Sequence, residues 1–332
     1  MTPHRSHSSA EPPSGAASPA AHPASPASHP ATASPHPAAA TPAIPARAVT
    51  LLVVLTLVWG TNWPVFPYAL AEVSVWTFRA FALPAAGLTL LAVARARGLS
   101  LALPREDWPT VVAASFCYLT VWNVASAYAA VLLPSGQAAI LGFTMPLWAA
   151  LLGFVFMGQR LPGRLLAALA LGAGAVGLLM WRSLPAYANA PAGFALGLLA
   201  AVGWAAGTLI LKRRPPSAPA LVLTGWQLVL SSVPIVPAAF VLAEGPWFMP
   251  SWQSLLAIAY VTWMPMTIGN LAWFSIVGLL PAQVAGLSSV MVPVVAMISG
   301  AIVHGEPLGP AQLGAMACSA GALWLALRPG GR

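Results

Sequence analysis

The chain has 332 residues, of which 59% are apolar and only 6% carry a formal charge. Soluble proteins contain about 25% charged residues, so this composition excludes an ordinary water-soluble protein and indicates lipid as the solvent. The formal net charge is +8, but the basic residues do not cluster as a nucleic-acid-binding face requires, and two cysteines cannot build a disulfide framework.

Residues 1–46 consist almost entirely of Pro, Ala, Ser, Thr and His. Such a stretch buries too little apolar surface to offset its ordering entropy, so we expect a disordered cytoplasmic tail. The tail lacks the charged start and the long apolar run of a signal peptide. Five of the six histidines lie in it at irregular spacing, which leaves a metal-binding tail as the alternative to a plain low-complexity one.

Residues 47–328 form one apolar block, interrupted by short turns that hold Pro, Gly and most of the charges. A bilayer core of about 30 Å requires about 20 apolar residues in each helix. This rule divides the block into ten predicted spans, roughly 48–69, 73–94, 109–130, 134–157, 162–181, 192–211, 219–242, 252–275, 281–303 and 308–327. The sequence therefore predicts an all-α polytopic membrane protein with ten transmembrane helices.

The basic residues give the predicted orientation of these spans. With a cytoplasmic amino terminus, the outer side receives only Arg182, and the inner side receives eleven basic residues: Arg47, Arg95, Arg97, Arg105, Arg160, Arg164, Lys212, Arg213, Arg214, Arg328 and Arg332. An excess of Lys and Arg marks the cytoplasmic side of a membrane protein. We therefore predict that both termini are cytoplasmic and that the protein lies in a bacterial inner membrane.

The chain matches itself without gaps when it is shifted by 147 residues. The shift superposes identical Asn, Pro, Gly and Leu residues: Asn123 on Asn270, Leu132–Pro134 on Leu279–Pro281, Pro146 on Pro293, Gly153 on Gly300, Gly158 on Gly305, Leu161 on Leu308, and Gly174 on Gly321. We predict a five-helix repeat over 47–181 and a second over 192–328. Because five is odd, the second repeat enters the membrane inverted, an arrangement that secondary transporters use to build two gates around one central site.

Pro146 and Pro293 lie about twelve residues into their predicted spans, near the bilayer middle at about 1.5 Å per residue. Proline at that depth kinks a helix and frees a backbone carbonyl. Two interpretations stay open: a packing kink without a further role, and a kink that lines a cavity and moves with a gate.

Arg79 is the one formally charged side chain placed well within a span. A buried arginine is costly in lipid and should face a cavity or a partner. It is therefore a candidate receptor for an anion such as a carboxylate; the alternative is a structural arginine bonded to helix-end carbonyls or to Glu72. Near the repeat offset its counterpart is Gln227, so only one half supplies a charge.

Other polar and aromatic residues complete the predicted binding set. Strong hydrogen-bonding side chains in or near the spans either line a polar path or join helices: Asn62, Asn123, Gln137, Gln227, Asn270 and Gln283. Trp122, Trp204 and Trp273 lie nearer mid-span and are candidate pocket walls, whereas Trp near a span end is typical of an interface anchor. A set of glycines predicts close helix contacts: Gly172, Gly174, Gly177 and Gly321.

Several kinds of chemistry are not supported by the sequence. None of the six acidic residues falls in the middle of a span, which argues against proton antiport by a central carboxylate and favours facilitative transport or coupling to the membrane potential. No P-loop, Ser-His-Asp triad or zinc-protease motif can be assembled. We therefore expect no enzyme activity, no cofactor and no bound metal.

The motifs resemble those of the drug/metabolite transporter superfamily, in particular its EamA-type members. The resemblance covers residues 48–328 and lies in short motifs: Trp59-Gly60-Thr61-Asn62-Trp63, Phe78-Arg79-Ala80, Pro146 through Gly158-Gln159-Arg160-Leu161, and Pro293 through Gly305-Glu306-Pro307-Leu308. Gln159 stands where the family has a glutamate. The resemblance implies a ten-helix alternating-access carrier, an exporter of an amino acid or related metabolite, with multidrug efflux and a non-transporting scaffold as alternatives. The expected partners are a small-molecule substrate and membrane lipid, not nucleic acid; a monomer and a homodimer both stay open.

Overall fold

A computed structural model describes residues 46–133, 135–159, 162–244, 250–280, 289–305 and 308–327. The chain divides into residues 1–41 and 42–332, and every described residue belongs to the second unit. Helices and short connections make up the described ranges, and no strand occurs in them. The predicted tail up to residue 45, Arg160, Gln283 and Glu306 lie outside the described residues.

Twelve helices follow one another in the described part of the chain. In order they are α1 (Ala46–Gly60), α2 (Asn62–Leu70), α3 (Val75–Ala96), α4 (Trp108–Leu132), α5 (Ser135–Gly142), α6 (Met145–Met157), α7 (Gly163–Asn189), α8 (Pro191–Arg213), α9 (Ala220–Leu242), α10 (Trp252–Leu279), α11 (Ser289–His304) and α12 (Pro310–Leu327). Two of them contain π-helical segments, Phe116–Thr120 in α4 and Thr262–Gly269 in α10.

Seven segments of the described part are long and apolar enough to cross a membrane: α3, α4, α7, α8, α9, α10 and the segment Gln137–Met157, which α5 and α6 form together. α1 with α2 makes an eighth when this pair, bent by 40°, is counted as one span. The chain is therefore an integral membrane protein of several spans. The count falls short of the ten predicted spans. The last two predicted spans contain the shorter apolar helix α11 and the helix α12, and residues 281–288 before α11 lie outside the described residues.

Residues 147 positions apart share unusual backbone features. The helix that starts at Met145 ends at Gly158 with φ of 60°, and the helix that starts at Val292 ends at Gly305 with φ of 67°. A side chain with a Cβ tolerates this left-handed backbone poorly, so both positions need glycine. The π-helical segment of α10 also overlaps that of α4 after the same shift.

The helix contacts follow the same relation. α1 packs on α10 and α11, whereas α8, its counterpart in the second half, packs on α4 and α6. The counterparts α3 and α9 pack on each other, as do α7 and α12. The pair α3 and α9 is antiparallel, because Gly87 lies against Val229 while Leu91, further along α3, lies against Gly225. α7 and α12 are antiparallel as well, with Leu171 against Gly321 and Leu178 against Gly314.

A carboxylate and a serine join the loops at each end of the α3–α9 pair. At one end Glu72 accepts hydrogen bonds from the backbone N–H and the hydroxyl of Ser251, which caps α10. At the other end Asp107 accepts the same two bonds from Ser217, each at 3.0 Å. The bonds from Ser251 lower the pKa of Glu72. We call these two contacts the carboxylate–serine clasps.

Of the four glycines predicted to make close helix contacts, only Gly321 does so among the described residues, with Leu171 at 3.4 Å from a Cβ. A Cβ at Gly172, Gly174 or Gly177 would meet no heavy atom within 4 Å, so the prediction of close contacts there was wrong. Gly174 and Gly177 lie on the exposed side of α7, whereas Gly172 is buried and faces empty space. Tighter contacts lie elsewhere: a Cβ built on Gly207, for example, would lie 2.5 Å from the Cβ and 2.7 Å from a ring carbon of Tyr118.

We predict opposite effects of alanine at two helical glycines. In Gly87→Ala the new Cβ would lie 2.9 Å from the Gly225 carbonyl oxygen and the Val229 nitrogen, so the α3–α9 pair must separate at a cost of about 1–3 kcal/mol. Gly177→Ala has open space and gains up to about 1 kcal/mol of helix propensity. The measurement is the thermal unfolding of the two purified variants in detergent, and equal midpoints would contradict this packing.

Candidate functional site

A central cavity lies between helices of both halves. It holds about 570 Å³ of empty space, its open mouth included. Its lining residues come from α1 to α4, α6, α8, α10 and the turn before α6: Trp59, Asn62, Trp63, Arg79, Leu119, Trp122, Asn123, Phe143, Met145, Trp204, Val261, Pro265, Met266 and Asn270.

Broken or irregular helix surrounds this cavity. The chain bends at Thr61 between α1 and α2, and it turns at Phe143 and Thr144 between α5 and α6. The two π-helical segments lie in the parts of α4 and α10 that flank the cavity. Non-helical backbone is tolerated at membrane depth only where it is buried in protein or lines a water-filled space. The breaks therefore mark the part of the molecule built for polar contacts.

Arg79 extends from α3 into the cavity and is 5% exposed. Its Nε donates a hydrogen bond to the backbone carbonyl of Asn123 at 3.2 Å, and its guanidinium carbon lies about 5 Å from the rings of Phe66 and Phe78. Glu72 bonds to Ser251 and not to Arg79. No carboxylate of the described residues pairs with Arg79, so its terminal nitrogens are available to an anionic ligand.

Three asparagines line the cavity and differ in how their amides are satisfied. Asn123 and Asn270 each donate from Nδ2 to the carbonyl four residues earlier, at 2.8 and 2.7 Å. The Oδ1 atoms of Asn62 and Asn270 are buried and accept no hydrogen bond from the described residues. A buried acceptor without a donor costs about 1–3 kcal/mol. Two lining residues of the cavity therefore carry an oxygen acceptor that has no donor among the described residues.

Aromatic rings close one side of the cavity. Trp204 meets Trp59 edge-on at 5.2 Å and Trp122 at 4.8 Å, between ring centroids. Trp59 donates from Nε1 to the Pro265 carbonyl at 3.1 Å, within the π-helical segment of α10. The Trp204 N–H is buried and has no acceptor among the described residues. The wall is apolar with one spare donor, which suits an apolar solute body that carries a polar group.

The sequence singled out six of these lining residues, and three other candidates lie elsewhere. Gln227 is fully buried in α9 with both amide atoms unpaired, and Trp273 is 1% exposed and stacks under Trp59 at 5.6 Å. The Gln137 carbonyl accepts from the Tyr187 hydroxyl at 3.1 Å. None of the three is among the described lining residues of the central cavity.

The two prolines differ from the sequence expectation in position. Pro146 lies in the first turn of α6, which starts at Met145. Pro293 lies in the first turn of the α-helical part of α11, which starts at Val292. Neither proline is inside an uninterrupted helix. Proline is favoured in the first turn, because N–H groups there have no acceptor within the helix, so a residue without an N–H loses no hydrogen bond. Both line a second cavity beside the central one.

Trp59 and Trp63 were left out of the predicted binding set, yet both line the central cavity. They flank the bend at Thr61 between α1 and α2. Phe143, Met145 and Pro265 were not singled out either. The available signal for these residues was the nearby prolines, such as Pro64 and Pro146, since each lies close to a place where a helix is interrupted.

The described acids stay away from the cavity. Glu72, Glu106, Asp107 and Glu244 lie outside the helices. Among the described residues no group of three or more His, Cys, Asp or Glu could hold a metal ion. The site can therefore bind through one guanidinium, amide oxygens and indole rings.

Comparisons with known proteins agree on one family. The family model described as "EamA-like transporter family" matches residues 46–181 and again residues 191–328. The "Uncharacterized transporter YvbV" of Bacillus subtilis is 25% identical over 265 residues, which cover 79% of this chain and 85% of that protein.

Two further similarities extend this result. A protein of Escherichia coli named "Probable amino-acid metabolite efflux pump" is 28% identical over 195 residues, covering 55% of this chain and 64% of that protein, which is less than two thirds of its length. A solved chain described as "Crystal structure of protein" has a TM-score of 0.69 at 21% identity, covering 84% of this chain and 96% of that chain. At that identity the likeness concerns the fold alone.

We predict that Asn62→Leu leaves the stability of the ligand-free protein unchanged or higher, because leucine removes a buried acceptor that has no donor. Asn123→Leu is the matched control. It loses the bond to the Leu119 carbonyl and should be destabilised by about 1 kcal/mol. Thermal unfolding in detergent without solute measures both. Equal losses in the two variants would show that Asn62 serves the fold rather than a ligand.

Proposed function

The chain belongs to the EamA-like transporter family, and from that premise we propose that it is a secondary carrier that exports an amino acid or a related small metabolite by alternating access. The single observation that carries this proposal is the composition of the central cavity. One guanidinium without a carboxylate partner among the described residues, and two asparagines whose amide oxygens are unsatisfied, belong to the lining of the same aromatic-walled space.

These groups complement the head of an amino acid. The guanidinium of Arg79 has donors left for a carboxylate, and such charge-assisted pairs are among the strongest hydrogen bonds in proteins. The Oδ1 atoms of Asn62 and Asn270 lack donors, which an ammonium group supplies. The indole rings of Trp59, Trp122 and Trp204 offer an apolar wall to the rest of the solute.

The proposed architecture is ten helices in two inverted repeats, over residues 47–181 and 192–328. Two observations support it: the shared backbone features at an offset of 147 residues, and the antiparallel packing of the counterpart pairs α3–α9 and α7–α12. Counterparts that pack side by side in opposite directions are expected when one repeat is inverted. The basic residues then favour cytoplasmic termini in a bacterial inner membrane.

Alternating access is supported by the clasps at the two ends of the α3–α9 pair. The loop that holds Glu72 and the loop that holds Ser217 occupy equivalent places in the two halves, as do the loops of Ser251 and Asp107. The same contact is thus made twice, with acid and serine exchanged. No carboxylate lies at the cavity among the described residues, which favours facilitative transport or coupling to the membrane potential.

Multidrug efflux is the second candidate, because indole walls also suit apolar cations. Arg79 in the same cavity repels a cationic drug, so the first proposal is preferred. A scaffold without transport would show no solute flux in vesicles.

We predict that Arg79→Gln loses recognition of the carboxylate. A bond to a charged group contributes about 1.5–3 kcal/mol, so the apparent affinity for L-leucine in vesicle counterflow should fall about tenfold to a hundredfold. Leucinamide, which lacks the carboxylate, provides the control solute. The wild-type protein should have a lower apparent affinity for leucinamide than for L-leucine, whereas Arg79→Gln should not distinguish the two. A variant that still prefers L-leucine would exclude Arg79 as the anion receptor.

We predict that each clasp must open during transport. With Cys117 and Cys318 replaced by alanine, cysteines at 72 and 251, or at 107 and 217, can be joined by a short bifunctional thiol reagent. Linking either pair should abolish flux in vesicles, whereas single-cysteine variants treated with the same reagent should keep it. Full flux through both linked variants would contradict a two-gate cycle that separates these loops.

A further inference from the structure

A second cavity lies beside the central one, between helices of both halves. It holds about 440 Å³ of empty space, its opening included, and its lining comes from α5, α6, α7, α11 and α12. Its described lining residues are apolar except for Ser319. Three pairs of residues 147 positions apart line it: Phe143 with Val290, Pro146 with Pro293, and Gly172 with Ser319.

Phe143 separates the two cavities, because it lines both. Its side chain is 5% exposed, and its ring meets Trp63 edge-on with 6.0 Å between centroids. The residue follows the end of α5 at Gly142, so a short turn carries the ring rather than a continuous helix. Relative movement of α5 and α6 therefore repositions the ring. The equivalent position holds the smaller Val290.

Gly172 shows that neighbouring side chains do not fill this space. It is buried, and a Cβ built on it would meet no heavy atom within 4 Å. The space beside Gly172 can therefore take an apolar group, or the helices around it can move into it.

We propose that the second cavity is the subsite for the apolar tail of the transported solute, which reaches it past the ring of Phe143. This inference rests on the proposed function, in which Arg79 and the asparagines hold the head of the solute. The described lining of the second cavity offers no charged group, and an unpaired charge would be costly there. The tail is thus aliphatic or aromatic, and the preferred solutes have large apolar side chains.

Filling the cavity from Gly172 tests the proposal. Gly172→Leu places a side chain in empty space, and Gly174→Leu on the exposed side of the same helix is the matched control. Counterflow of radiolabelled L-alanine, L-leucine and L-phenylalanine is measured in vesicles. Because small changes in an apolar pocket discriminate about 10–200-fold, Gly172→Leu should lower L-phenylalanine flux by at least about tenfold and spare L-alanine, whereas Gly174→Leu should spare both.

Other outcomes contradict the tail subsite. An equal loss of all three fluxes in Gly172→Leu would show that the space serves helix movement. Unchanged L-phenylalanine flux would show that no tail enters it.

A binding measurement separates this inference from the proposed function. Indole should raise the unfolding temperature of the original chain and of Gly174→Leu, but not that of Gly172→Leu. If no amino acid is transported while this Gly172-dependent shift is present, the proposed function fails and the apolar subsite stands. If indole gives no shift in the original chain, the subsite is rejected even when transport is observed.

Discussion

The backbone of this protein must satisfy its own polar groups, because lipid offers no hydrogen bonds. Regular helix meets that requirement over most of the described chain. Four irregularities adjoin the central cavity: the bend at Thr61, the turn at Phe143 and the π-helical segments of α4 and α10. Another, the 3₁₀ turn Ser289–Met291 at the start of α11, adjoins the second cavity. The carbonyls of Asn123 and Pro265 beside the central cavity accept bonds from Arg79 and Trp59. The same constraint that forces helices elsewhere thus leaves most of the irregular backbone of the described residues beside the candidate site.

The two halves of the chain share several backbone features but differ in the residues that line the cavity. The matching glycine caps, π-helical segments and clasps are features that both halves retain. The cavity walls differ: Trp122 corresponds to Gly269, which leaves room for the ring of Trp59. Arg79 likewise corresponds to Trp226 at the strict offset. Because the two halves match in backbone but differ in the side chains that line the cavity, the central cavity is asymmetric.

Hydropathy and the internal repeat were sufficient to predict helical membrane spans, because a lipid solvent imposes both length and composition on each span. They were not sufficient to predict how each helix is rotated about its axis. A span that is apolar on all sides gives no pattern that distinguishes the face toward lipid from the face toward a neighbour. For that reason Gly172, Gly174 and Gly177 were taken for contact glycines, and Trp59 and Trp63 were left out of the predicted binding set. Arg79 could be found because charge in a span is rare.

The two carboxylate–serine clasps affect the energetics of the proposed transport cycle. Each consists of one carboxylate accepting a backbone N–H and a hydroxyl from one serine, so the two ends of the molecule are held by equivalent bonds. In the proposed alternating-access cycle, breaking either clasp costs a comparable free energy, and neither orientation of the empty protein is strongly preferred on this account. A carrier with two equivalent orientations does not itself set the direction of transport. Differences in solute concentration across the bilayer would then set the direction of net flow, and overproduction of the solute inside the cell would drive it outward.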